Sequence, residues 1–205
     1  MDSSGSSERS RSTVGAFGKR LLDLAIAVPA CILLAPLLLV IALAIKSESR
    51  GPALFLQERR GRRMRPFTMM KFRSLRHDKP DPHERYEMVA EDPRITRVGT
   101  FIRRTSLDEL PQLLNVVGGS MSIVGPRPLV EWESQDAFLT HAERYEVKPG
   151  ITGLSQVAVR NSVDFQKRLD KDVEYARRWS LGLDLKILFR TPFALIKMDV
   201  IYPDS

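Results

Sequence analysis

Residues 24–45, LAIAVPACILLAPLLLVIALAI, limit what this chain can fold into more than any other stretch: 22 residues carry no charge. As a helix, a run of that length matches the hydrocarbon thickness of a bilayer. A simple span meets two difficulties. Pro29 and Pro36 lack an N–H, and each ring collides with the carbonyl four residues back, at Ala25 and Ile32. Basic residues also flank both ends, with Arg9, Arg11, Lys19 and Arg20 before the run and Lys46 and Arg50 after it. Positive charge favours the cytoplasmic side, so both ends call for the same face. A segment that enters, breaks at Pro36 and returns by the same face satisfies both flanks. Its first leg, residues 21–35, is about 22 Å of helix, short of a core of about 30 Å. A spanning helix kinked at its prolines is the other reading. A cleaved signal peptide fits poorly, because no small-residue cleavage site follows the run before the basic residues.

The charge is concentrated just after this segment. Residues 46–76 hold ten basic side chains against Glu48 and Glu58, a balance of +8, while the whole chain carries +7. Anionic partners are implied: nucleic acid, a lipid surface or phosphate ligands. Cys31 is the one cysteine, so no internal disulfide forms, which suits a reducing compartment. There is no internal repeat and no CxxC or HExxH motif. The Ser-rich start, MDSSGSSERSRST, reads as a disordered tail.

Near the C-terminus, DLKILFRTPFALIKMDV sets Lys186, Arg190 and Lys197 on one helical face among apolar residues. That pattern fits a helix lying on an anionic bilayer, or a core helix with a basic outer stripe. Between the two apolar segments, ALFLQERRGRRMRPFTMMKFRSL predicts strand, basic turn, strand. Ile95, Val98 and Ile102 have helical spacing, and helices are expected over 107–117, 129–145 and 162–180. In the last, Phe165, Leu169, Val173, Ala176 and Trp179 form a core stripe. VGPRP and KPGITG read as turns or loops. No βαβ alternation appears, so the expected fold class is α+β, mostly helical, on a membrane anchor.

SLDELPQ, residues 106–112, places adjacent carboxylates, Asp108 and Glu109, at a helix start. Ser106 and Glu109 could form an S-x-x-E capping box, with Asp108 complementing the helix dipole. Pro111 counts against that helix, and a start nearer residues 110–111 leaves both acids just ahead of the N-terminus. There, two adjacent acids can hold Mg2+ and, through it, phosphate oxygens. Lys71, Arg103, Arg104 and Arg127 are candidate phosphate ligands, the last fixed between Pro126 and Pro128. Each alone is an ordinary solvated charge, but together they suggest phosphoryl transfer. Alternatives are a Mg2+-dependent membrane phosphohydrolase and a non-enzymatic basic membrane adaptor.

KFRS, DPRITRVGTFIRRTSLDELPQLLNVV, MSIVGPRPL and KPGITGLSQV follow KRLLDLAIAVPACILLAPLLL in that order. The chain thereby resembles the bacterial sugar transferase family, the monotopic polyprenyl-phosphate phosphoglycosyl transferases, over residues 17–200, and its short N-terminal region resembles the small form. The resemblance implies a monotopic protein with a re-entrant membrane helix over 16–46, broken at Pro36. A tail at 1–15 precedes it. A cytoplasmic catalytic domain with membrane-interface helices follows at 47–205, on the bacterial inner membrane. It implies Asp108 as nucleophile on a UDP-sugar, with UMP expelled and the phosphosugar passed to a polyprenyl phosphate such as undecaprenyl phosphate. Glu109 and Mg2+ assist, with Asp108 and Glu109 as metal ligands. Lys71, Arg103, Arg127 and Arg160 match phosphate-binding positions. Anionic lipids are expected partners and nucleic acid is not. Neither a carboxylate of ordinary pKa near 3.9 nor a phosphate needs a general base, so His77, His83 and His141 can lie outside these motifs. Three departures stand out: Ala35 where the family often has Ser, Ser120 where an acid is common, and QVAVR, with Gln156 and Arg160, for the frequent QVNGR. The last two bear on sugar choice.

Overall fold

The computed structural model describes residues 4–76, 94–159 and 164–196. The apolar run forms the middle of one helix, α1 (Ser4–Glu48), with Pro29 and Pro36 inside it. Helical backbone continues through Pro36 without interruption, where a break is expected from sequence. Flanking turns can carry a helix past a proline at the cost of local bonds. The helix also begins inside the stretch read as a tail, since extending an existing helix costs far less than nucleating one.

Both flanks of the apolar run in α1 are tied to the same folded unit. Ahead of the run, Lys19 Nζ donates to Asp184 (2.7 Å) and to the Val124 carbonyl (3.0 Å). Arg20 donates to the Val116 and Val117 carbonyls at 2.6 and 2.8 Å. Asp23, buried, accepts from Ser122 Oγ (2.8 Å) and Ile123 N–H (2.9 Å). At its end, Ile41 and Ile45 pack with Phe72 and Ile102. Glu48 accepts the Arg97 and Val98 N–H groups at 2.7 and 2.8 Å. Between these anchors Ala27 is fully buried, yet Ile32 and Leu33 are 70% and 78% exposed, and Leu39, Val40 and Leu43 are exposed as well. One side of the helix packs on protein; the other is a broad apolar face.

The expected hairpin forms. Strand β1 (Leu54–Arg60) pairs antiparallel with β2 (Pro66–Phe72), from Leu54 opposite Phe72 to Arg60 opposite Pro66. Helix α2 (Arg97–Arg104) follows, capped by Thr96, whose hydroxyl accepts the Gly99 N–H at 2.8 Å. The helix expected over 107–117 is shorter: a 3-10 turn over Leu107–Glu109, then α3 (Gln112–Gly118) starting after Pro111. Proline lacks the N–H that a continuous helix would use, which explains the division. Asn115 of α3 docks on the hairpin, donating to Thr68 O (2.7 Å) and accepting from Met70 N–H (2.9 Å).

VGPRP and KPGITG are more than turns. Each adjoins or contains a three-residue strand, β3 (Ser122–Val124) and β4 (Gly150–Thr152), and the two pair in parallel. Between them lie α4 (Glu131–His141) and a 3-10 segment, Ala142–Glu146, in place of one helix to 145. Helices α5 (Leu154–Ala158), α6 (Phe165–Arg178) and α7 (Leu181–Ile196) complete the unit. The buried face of α6 is Leu169, Asp172 and Tyr175, rotated from the predicted stripe because Asp172 is paired inside. The main core joins Ala27, Met69, Val116, Met121, Val124, Tyr175 and Ile187. In α7, Leu185, Phe189 and Phe193 are exposed at four-residue intervals, next to exposed Lys186 and Arg190. Lys197 lies outside the described residues. Among the described residues the architecture is therefore mostly helical with two small sheets, built along a long apolar N-terminal helix.

Candidate active site

The site begins with KFRS at the end of β2. Lys71 points its ammonium to Glu109 Oε1 at 3.2 Å. Phe72 enters the core under α1. Arg73 is buried and donates to the Ser49 carbonyl and hydroxyl at 2.9 and 3.0 Å, fastening the end of the apolar helix. Ser74 Oγ accepts from Arg103 Nε at 2.7 Å. One tetrapeptide thus orients two candidate phosphate ligands and fixes the long apolar helix to them.

The acidic pair is not a capping box. Ser106 sits in the left-handed region (φ 57°), and its side chain makes no capping bond. Glu109 turns away, its Oε1 accepting from both Lys71 and Arg127 Nη2, the latter at 2.8 Å. Asp108, and Glu109 Oε2, accept no hydrogen bond among the described residues. Burial alone would raise the Glu109 carboxyl, but Arg127 and Lys71 outweigh it and hold Glu109 at about 2. Asp108 is raised, by burial and by the neighbouring Glu109 charge, against the pull of Lys71, Arg103 and Arg127. The environment separates the two acids: one is locked as a counter-ion, the other is unpartnered and energetically uncomfortable when charged.

Arg127 is held by its backbone. Gly125 N–H donates to Thr152 O (2.8 Å) and Gly150 N–H to Pro126 O (2.9 Å). A Cβ on Gly125 would lie 2.3 Å from Lys148 O, and one on Gly150 would lie 2.1 Å from Gly125 N, so the two motifs meet backbone to backbone. Arg144, buried, donates to Arg127 O (2.7 Å) and pairs with Asp172 (2.8 Å), which also accepts from Ser155 Oγ at 2.7 Å. Arg59 on β1 donates to Pro128 O at 3.3 Å, and burial and Arg127 lower its pKa to about 10. Sequence reasoning missed Arg59, Arg144 and Asp172 as site residues. Arg59 was one basic residue among ten, and nothing local marks Arg144 and Asp172 as an internal pair.

Lys71, Arg103, Asp108, Glu109 and Arg127 therefore converge, while Arg160 lies outside the described residues. Behind Glu109 and Arg127 opens a cavity of about 500 Å3, walled by Leu110, Leu113, Leu129, Ile151, Phe165 and Leu169. Among the described residues no three His, Cys, Asp or Glu side chains form a metal cluster. The dyad still fits Mg2+. Among the described residues Glu109 Oε2 and both Asp108 oxygens are unclaimed, and Mg2+ commonly takes one or two carboxylates, completing its shell with phosphate and water.

The profile of the bacterial sugar transferase family matches residues 14–198. The chain is 45% identical over 184 residues to the undecaprenyl-phosphate glucose phosphotransferase of Komagataeibacter xylinus, covering 84% of this chain and 35% of that protein. It is 44% identical over 194 residues to the UDP-glucose:undecaprenyl-phosphate glucose-1-phosphate transferase of Caulobacter vibrioides, covering 90% and 72%. It is 41% identical over 200 residues to the UDP-galactose-lipid carrier transferase of Erwinia amylovora, covering 91% and 42%. The chain thus spans less than half of the length of two of these three relatives and 72% of the other.

Proposed function

The chain belongs to the bacterial sugar transferase family, matched over residues 14–198, and from that premise we propose that it is a phosphoglycosyl transferase. It moves a sugar phosphate from a UDP-sugar to a polyprenyl phosphate, the acceptor class in the names of its glucose-transferring relatives. Those names and the galactose one differ in the sugar, so the donor is proposed as a class. The observation that carries the reading is the Asp108 carboxylate, without a hydrogen bond or ion pair among the described residues, beside Glu109, which Lys71 and Arg127 already neutralise.

In the first step an Asp108 oxygen attacks the β-phosphorus, and the bond from that phosphorus to the bridging oxygen breaks. UMP leaves with the electron pair, and the phosphosugar stays as an acyl phosphate. In the second step an oxygen of the polyprenyl phosphate attacks the same phosphorus and regenerates the carboxylate, yielding a polyprenyl diphosphate sugar. No proton moves in either step. Arg127, Lys71 and Arg103 orient the phosphates and spread their charge, which is the main task in phosphoryl transfer. Mg2+ bound by Asp108 and Glu109 would supply further charge neutralisation. In vesicles with UDP-sugar alone, UMP release should stop near one equivalent; adding undecaprenyl phosphate should make it continuous. Sustained release without lipid would favour the phosphohydrolase, and no release would favour the adaptor.

The membrane reading is monotopic. The hydrogen bonds of Asp23 and Glu48 to one folded unit support having both flanks of the apolar run on one side. The exposed face around Ile32, Leu33, Leu39 and Val40 then enters one leaflet, and in the bilayer the helix would break at Pro36, although it runs on through that residue here. The exposed Leu185, Phe189 and Phe193 of α7 support an interfacial seat, with Lys186 and Arg190 toward anionic headgroups. A UDP-sugar donor is cytoplasmic, so the site faces that side of the inner membrane. The proposed division is an N-terminal extension over 1–15, a re-entrant helix over 16–46 and a catalytic domain over 47–205, with the helix already under way within the extension. With Cys31→Ser as background, Ser10→Cys and Ser47→Cys should both react with an impermeant maleimide only from the cytoplasmic side. Labelling of Ser10→Cys from outside alone would overturn the re-entrant reading.

A further inference from the structure

The chemistry above uses the mouth of the cavity behind Glu109 and leaves its interior without a role. The six walls Leu110, Leu113, Leu129, Ile151, Phe165 and Leu169 are apolar. Of the five hydroxyls that line the cavity, four are committed: Thr152 and Thr191 bond each other at 2.9 Å, Ser155 donates to Asp172 at 2.7 Å and Thr105 donates to Phe101 O at 2.8 Å, while Ser106 makes no capping bond. Among the lining groups, Gln156 holds a buried acceptor. Gln156 Nε2 donates to Ile151 O at 2.9 Å, which fixes the amide, and its Oε1 is buried with no hydrogen-bond partner among the described residues. A buried acceptor left unpaired is costly until a ligand brings a donor.

Three parts of the substrates could occupy this space. A hexose has several hydroxyls, each needing a partner, and the six apolar walls offer none. A polyprenyl chain suits the walls but leaves Gln156 Oε1 unpaired. A flat, partly apolar ring with one N–H edge satisfies both. The Phe165 ring, with the Arg168 guanidinium 5.4 Å from its centre, adds a stacking surface. The volume suits a nucleoside-sized group. We infer that this cavity is the subsite for the uracil of the donor, with Gln156 Oε1 accepting the uracil N3–H. The inference rests on the proposed transfer from a UDP-sugar. It also gives the site a basis for choosing uracil over cytosine, whose N3 is an acceptor and would face Oε1 without a proton between them.

The test measures nucleotide binding by the full chain in nanodiscs, by calorimetry. Wild type should bind UMP about tenfold or more tighter than N3-methyl-UMP or CMP, because a site built for an N–H rejects ligands lacking it. Gln156→Leu should bind UMP about tenfold more weakly and lose the preference, with affinity for inorganic pyrophosphate unchanged. Equal binding of UMP and N3-methyl-UMP by wild type overturns the subsite, as does a preference retained in Gln156→Leu. Should that variant fail to fold, the wild-type comparison decides alone. Loss of UMP binding on adding undecaprenyl phosphate, with no N3 discrimination, would assign the cavity to the lipid chain. If wild type releases UMP from donor yet ignores the N3 methyl, only this subsite fails; if it neither binds UMP nor releases it, the function reading fails with it.

Discussion

Asp108→Asn should abolish lipid-linked product, by on the order of 10^4-fold or more, while the protein remains folded. The amide is nearly the same size and cannot form the acyl phosphate. Nothing structural opposes the exchange, since Asp108 makes no hydrogen bond or ion pair among the described residues and caps no helix. The free variant should even melt at the same temperature or slightly higher. Burial and Glu109 raise the Asp108 pKa, so its charged form is held at a cost, and Asn removes that cost. The sign also fixes the pH dependence. A raised pKa means Asp108 is neutralised first as pH falls, so the acid limb of donor cleavage should follow Asp108, above the ordinary carboxylate range, while Glu109 at about 2 stays ionised. Incubated with UDP-sugar and no lipid, wild type should gain the mass of one phosphosugar on the peptide holding Asp108, and the variant none. Substantial product from Asp108→Asn would make direct attack by the lipid phosphate the better mechanism.

Some of this was legible in the chain and some was not. The apolar run, the hairpin and KFRS were readable because apolar length and alternation are local signals. The hairpin turn was readable only in outline, since Arg63 and Met64, not glycine, adopt positive φ there (55° and 58°). Strands β3 and β4 are too short for periodicity to show. They are specified by contacts between Gly125 and Gly150, which no local window contains. The capping-box motif was present in letters but not in space, because Pro111 delays α3 and Ser106 is left-handed. Buried charges were the hardest. Asp184 is fully buried and binds Lys19, 165 residues away, as well as Tyr175 and Trp179. An isolated Asp in a helix reads as a solvated face until its partner is known. The dyad itself was legible because adjacent acids in a basic setting are chemically odd, but its division of labour was not. That division depends on which carboxylate Lys71 and Arg127 reach.

Arg127→Lys should cut turnover by about 10^2-fold, the order expected for losing one well-placed charge-stabilising donor. The substitution keeps the positive charge, so the loss would come from geometry. Lys71 already supplies an ammonium to Glu109 Oε1, whereas Arg127 reaches the same oxygen with one nitrogen and keeps the rest of a planar fork for phosphate. Its side chain is about half exposed, so a ligand can reach it. Folding should survive, because Arg144 grips the backbone carbonyl of residue 127 and not its side chain. Arg127→Ala adds a diagnostic that a solvated turn residue could not produce. Burial raises Glu109, and Arg127 is the strongest group opposing that rise. Without it the Glu109 pKa must climb from about 2, so Glu109 takes a proton at higher pH. The acid limb of donor cleavage should then change in shape or move upward, with activity lost earlier as pH falls, and Lys at 127 should restore part of the original profile. Near-wild-type turnover in Arg127→Lys, or an unshifted profile in Arg127→Ala, would reduce Arg127 to a turn residue and leave Lys71 and Arg103 as the phosphate ligands.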